Sequence, residues 1–148
     1  MAGRALTIAF VTLAAVVAAG VIVGFSTTGA QDAVASLDHL RVREVLFLDD
    51  QDIYLVYNDG DPMALSADAQ HLGDRVEFCE SSQMFESPAH GEKFDIEGNY
   101  YAGPARRGLD RYPVRVKGDG VYVDLEQQIQ GPQRGEPRAR EPQGEFCV

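Results

Sequence analysis

Two short stretches of the chain carry residue types that hold metals. Ser87–Asp95 reads SPAHGEKFD and combines a stiff proline, the imidazole of His90, and a glycine that lets backbone approach closely. Upstream, Ala69–Asp74 reads AQHLGD and has the same character, with His71 two residues before Gly73. Neither stretch contains a cysteine. Two histidines and a carboxylate, His71, His90 and Asp74, are a donor set suited to zinc or ferrous iron, which makes a single-metal site one reading of the pair. The other reading is a repacked pocket. There the histidines bind nothing, Gln70, Met84 or Tyr100 fills the space, Asp74 accepts a hydrogen bond from an imidazole or a loop amide, and the Ser87 hydroxyl caps its own loop. A serine nucleophile at Ser87 with His90 as base is a weaker idea, because no third group is evident. The aspartates at 49, 50, 52, 59 and 61 lack the ligand ladder and closing glutamate of a calcium loop and read as a solvated turn.

The elements that position these loops read as strands. Val42–Leu48 and Ile53–Tyr57 are rich in β-branched and aromatic residues, and Asn58–Pro62 is a turn signal. Short strands follow at Met63–Ser66, Arg75–Phe78 and Met84–Glu86, so that each histidine loop leaves a strand end. Tyr112–Lys117 and Val121–Leu125 flank Gly118-Asp119-Gly120 as a hairpin. Frequent turns between short strands imply an all-β antiparallel sandwich over residues 42–126. Residues 31–41, which include His39, read as a linker, or over Asp32–Leu40 as a short helix that extends the N-terminal anchor. Residues 127–148 hold evenly spaced prolines at 132, 137 and 142 and read as an extended tail that needs a groove, a neighbour or a covalent staple to be ordered.

Residues 1–30 carry one charge, Arg4, and Ala5–Phe25 is an uncharged, largely apolar run of 21 residues. As a helix it spans the roughly 30 Å hydrocarbon core, and it is longer than the apolar part of a signal peptide. A single N-terminal transmembrane helix is therefore expected. Arg4 before it and acids after it place the N-terminus in the cytoplasm and the domain on the extracytoplasmic or periplasmic side. Gly20 and Gly24 are spaced to let a partner helix approach. The formal net charge is −10. Such a surface excludes nucleic acid as a partner and suits a basic one, such as a soluble electron carrier. Cys79 and Cys147, the two cysteines of the chain, pair on an oxidising side of the membrane or stay as free thiols on the other.

In order and spacing the two loops resemble the Rieske iron–sulfur proteins, whose pattern runs Cys-x-His-x-Gly-Cys, then Cys-Pro-Cys-His-Gly-Ser-x-Phe-Asp, then a Gly-Pro-Ala loop. Here the third loop is Gly103-Pro104-Ala105. The resemblance covers roughly Val42–Leu125, and the ending Phe146-Cys147-Val148 is similar to a membrane-anchored actinobacterial branch. It implies a Rieske-like sandwich and favours a Cys79–Cys147 disulfide. It also implies that Ala69, His71, Ser87 and His90 stand at the cluster-ligand positions, and Asp74 and Ala89 at those of a disulfide that clamps the loops. As a clamp position, Asp74 is expected to turn its carboxylate away from the metal seat. Thiolates are needed on the ferric side of such a cluster. The expectation is thus no 2Fe–2S cofactor, no catalysis, and a structural or accessory role in a membrane complex. Candidate hosts are a quinol–cytochrome c reductase, a terminal oxidase or a photosynthetic reaction centre. The partners would meet the helix, a domain face and the tail. The alternative is metal binding or electron transfer through His71 and His90.

Overall fold

The computed structural model describes residues 32–148 except Asp59. The expected membrane anchor, with Gly20 and Gly24, lies outside these residues. Among the described residues no helix is long and apolar enough to cross a membrane.

Strands β2 (Val45–Leu48), β3 (Ile53–Val56), β4 (Met63–Ser66) and β9 (Arg111–Tyr112) form one antiparallel sheet in that order. A second sheet joins β5 (Glu77–Cys79), β6 (Met84–Glu86), β7 (Lys93–Asp95) and β8 (Tyr100–Ala102). A third, smaller sheet has the order β1 (Ala35–Ser36), β11 (Gly120–Val123), β10 (Val114–Lys117). The all-β antiparallel class is as the sequence implies.

Strand β3 shows how the layers are glued. Successive side chains of a strand point to opposite faces. Tyr54 and Val56 enter a core with Leu65, Phe85, Phe94 and Leu109, whereas Ile53 and Leu55 enter another with Leu40, Ala64, Val121 and Val123. All four β3 residues are buried, so the strand serves two cores at once. Burying an aliphatic side chain of this size contributes about 1.5–3 kcal/mol.

Three boundaries differ from the sequence reading. Residues 31–41 are not a free linker: Ala35 and Ser36 pair with Val121 and Gly120, and Leu37–Arg43 forms helix α1. Ser36 caps it by accepting the His39 amide at 3.2 Å, Asp38 and the pair Arg41 and Arg43 suit the helix dipole, and Leu40 is buried. Val42, read as strand, sits exposed on this helix; the strand begins at Val45, after Glu44 turns the chain with φ 61°. Tyr112–Lys117 is two strands, because Pro113 has no N–H for a ladder and the chain changes sheet there.

The tail is extended and lies on its own domain. Ile129 and Arg111 exchange backbone hydrogen bonds of 2.8 and 2.9 Å, and Gly108 donates to the Pro132 carbonyl at 2.8 Å. Gln143 donates to the Ser82 carbonyl at 2.9 Å, and Cys147 is joined to Cys79 by a disulfide. The amides of Cys147 and Val148 both donate to the buried Glu86 carboxylate at 3.0 Å. Burial alone would raise the Glu86 pKa. The Ser82 hydroxyl, those two amides and Lys93 outweigh burial and hold the carboxyl below the usual range. The groove and the staple thus act together.

Candidate functional site

Each loop of the site is a closed backbone turn. In the first, the Ala69 amide donates to the Asp74 carbonyl at 2.7 Å, while Leu72 and Gly73 take positive φ of 63° and 73°. In the second, between β6 and β7, the Ser87 amide donates to the Glu92 carbonyl at 2.8 Å and the Gly91 amide to the Ser87 carbonyl at 2.9 Å. The buried Ser87 hydroxyl accepts the His90 amide at 3.3 Å and so caps its own turn. The third loop covers the second. A Cβ added to Gly103, which has φ +98°, would lie 2.6 Å from the Glu92 Cα and 3.0 Å from its nitrogen. Backbone at that distance cannot yield as a flexible side chain can. Gly103→Ala is therefore expected to lower domain stability by about 2–3 kcal/mol in thermal unfolding. Pro104→Ala, at the exposed next position, should stay within about 0.5 kcal/mol.

The loops bring together three donor groups. Asp74, on the first loop, contacts His90 Nδ1, on the second. The Glu92 carboxylate joins them, and one ligand-type atom from each of the three lies within 4.8 Å of the others. Glu92 is fully buried, and neither of its carboxylate oxygens has a hydrogen bond of normal geometry. Burial pushes its pKa up, and Asp74 adds to the rise; the Ser87 hydroxyl and the imidazoles of His71 and His90 pull the other way. The His71 ring stands edge-on to that of His90, with centroids 5.2 Å apart.

Two sequence expectations are corrected. Of the two readings of Asp74, the one in which it accepts from an imidazole matches the structure: the carboxylate reaches across to His90 and does not turn away from the pocket, so the contact between loops passes to the residue after Ala89, which has no donor. The expected fillers are also engaged elsewhere. Gln70 donates to Asp110 at 2.7 Å and accepts from Arg107 at 2.7 Å, and the Tyr100 hydroxyl donates to the Gly103 carbonyl at 2.6 Å. The functional group that sequence reasoning left without a role is Glu92. Its signal was a carboxylate two residues past His90, where the family pattern has serine. The Ser87–His90 pair assembles no nucleophile, because the imidazole turns to Asp74. Ala69 and Ser87 are both buried at the pocket. His39 is exposed on α1, away from these loops.

No family model matches the chain. It is similar to cytochrome b6-f complex iron-sulfur subunit 2 of Trichormus variabilis, 35% identical over 83 residues, which are 55% of this chain and 46% of the relative. The cytochrome b6-f complex iron-sulfur subunit of Chlorobaculum thiosulfatiphilum is 30% identical over 79 residues, 53% of this chain and 44% of the relative. The chain thus spans less than half the length of these curated relatives. Among solved structures it resembles the cyanobacterial plasma membrane Rieske protein PetC3 from Synechocystis PCC 6803, with a TM-score of 0.53 and 25% identity, covering 62% of this chain and 97% of that one.

These findings run against the expectation of no 2Fe–2S cofactor. The relatives are iron–sulfur subunits by name, and the matching pocket here holds donors of its own. The donors have changed in kind. Both cysteines are committed to the disulfide, and the former thiolate positions offer a methyl and a hydroxyl, which do not fit the thiolate half of a two-iron cluster. What remains is oxygen and imidazole nitrogen. By sequence relationship and by fold, the chain is a homologue of the Rieske iron–sulfur proteins, in a form whose cluster positions carry no cysteine.

Proposed function

We propose that the chain is an accessory subunit of a membrane electron-transfer complex, with its Rieske-type domain on the extracytoplasmic face and its role there structural, in assembly or in docking a carrier. The observation that carries this reading is a tightly held loop frame with no sulfur in it. Gly103 presses on Glu92, Gly73 and Gly91 turn the two loops, and the two-core sandwich supports them, while the positions that match the cluster cysteines carry none. A fold held this tightly with altered donors serves as a shape. The apolar run at 5–25 supports a single-pass anchor with a cytoplasmic N-terminus, and the disulfide supports an oxidising compartment. A quinol–cytochrome c reductase, a terminal oxidase and a reaction centre each present the outer face that such a domain would cover. The domain is non-catalytic in this reading.

The test is affinity isolation of the tagged full chain from its native membranes in mild detergent. Stoichiometric recovery of cytochrome- or pigment-bearing subunits is expected. That recovery should fall at least about tenfold when Gly20 and Gly24 are both replaced by leucine, which blocks close helix approach. Recovery of the chain alone, as a monomer, would sink the proposal.

A further inference from the structure

We infer that Asp74, His90 and Glu92 bind one divalent transition-metal ion, zinc by preference, and that this ion ties the first loop to the second. The inference stands apart from the proposed membership in a complex, because it rests on the pocket alone.

The argument begins with Glu92. A carboxylate with no solvent exposure and no hydrogen bond of normal geometry, helped only by the nearby Ser87 hydroxyl and the two imidazoles, is a costly object. Folded proteins keep such groups when something positive completes them. The other buried carboxylates of this domain obey that rule. Asp95 accepts the Asn99 amide at 2.8 Å and the Arg140 amide at 2.9 Å; Glu86 accepts the Ser82 hydroxyl at 2.6 Å and two tail amides; Asp110 accepts the Gly131 amide at 2.8 Å and pairs with Arg107. Glu92 departs from it, and among the described residues no lysine or arginine forms an ion pair with it.

The neighbours of Glu92 are metal-binding groups. An imidazole and a second carboxylate place one donor atom each within 4.8 Å of a Glu92 oxygen, and small side-chain adjustments that draw the outermost donors inward let a single ion sit at about 2.0–2.2 Å from each. One neutral imidazole and two carboxylates sum to two negative charges, which a dication neutralises. Nitrogen and oxygen donors without sulfur favour a borderline ion such as zinc over copper(I), and the imidazole disfavours magnesium and calcium. The fourth position is open to water or to His71, whose ring stands edge-on to that of His90. Backbone turns closed at 2.7–2.9 Å hold the three ligands, so little ordering is left to the ion. Asp74 comes from one loop and His90 and Glu92 from the other, so the ion cross-links them at the place where the family pattern has its cysteine clamp.

The experiment is a titration of the full chain in detergent micelles, stripped by chelator, with zinc sulfate. One equivalent per chain is expected to bind with a Kd of about 1 μM or tighter, and saturation should raise the Tm by several degrees. Glu92→Gln, which keeps the volume and removes the charge, should weaken binding about 100-fold or more and abolish the Tm rise. His90→Gln should do the same. Because the stripped Glu92→Gln chain carries one less buried charge, its Tm without metal is expected to equal or exceed that of the stripped parent. Cobalt(II) in place of zinc should give visible ligand-field bands without the near-ultraviolet band of a cobalt–thiolate bond. The inference is overturned if the parent binds no zinc below about 100 μM. It is equally overturned if both variants bind as the parent does, or if calcium stabilises the chain as much as zinc at equal concentration.

Discussion

Replacing Cys79 and Cys147 together by serine is expected to destabilise the β domain by about 4 kcal/mol. The bridge spans 68 residues, and a cross-link over that length removes chain entropy from the unfolded state on this scale. For a domain of this size the Tm should fall by roughly 10–15 °C. A second readout separates the bridge from the hydrogen bonds around it. Other ties of the last segment include the Cys147 and Val148 amides on Glu86, the Gln143 amide on the Ser82 carbonyl, the Ser81 hydroxyl on the Glu145 carbonyl and Lys93 on the Val148 carbonyl. Without the bridge these few contacts must carry the ordering entropy of that segment, about 1–2 kcal/mol per residue. Trypsin should then cut at the exposed arginines 134, 138 and 140 under conditions that leave the parent intact. A variant with unchanged Tm and no new cleavage would show that the tail is held by its polar contacts alone.

The second large effect is expected at Asp110. Its side chain is 5% exposed, pairs with Arg107 three residues before it, and gathers two distant parts of the chain: Gln70 from the first loop and the Gly131 amide from the tail. Asp110→Ala leaves the Arg107 guanidinium, itself largely buried, without its counter-charge and orphans the Gly131 amide. Breaking one side of such a pair costs about 3–5 kcal/mol. Because Gln70 precedes His71, the loss also frees the first loop of the site. A double-mutant cycle with Arg107→Ala checks the cause. Coupling of at least about 1 kcal/mol is expected, and strictly additive effects would place the cost elsewhere.

How much of this was legible in the sequence depends on where the signal lives. The strand β3 and the hairpin around Gly118 are written in local alternation and turn chemistry, and the structure places both where the residues imply. The order of the three loops is a spacing pattern, and it too could be read. A short helix before the first long strand is one of two readings of that stretch; its bounds are the harder part, because α1 runs through Val42 to Arg43, and the cue to its start is the cap at Ser36 with Asp38 after it. Pro113 was a visible break inside a strand-like run, and it does divide two sheets. The role of Glu92 was not local at all. It depends on Gly103 pressing from the third loop and on Asp74 arriving from the first, contacts between residues far apart in the chain. For Asp74 the sequence leaves two orientations open, and the contact with the His90 imidazole, which depends on the second loop, decides between them.

The double duty of β3 bears on how the domain comes apart. Its even-numbered residues Tyr54 and Val56 and its odd-numbered residues Ile53 and Leu55 belong to separate apolar clusters, so neither cluster can loosen without exposing one face of the same four-residue segment. Its backbone amides have no private route to solvent. Deuterium should enter them only when the whole domain opens, which makes these four positions a built-in gauge of global stability against which looser parts, the tail above all, can be ranked.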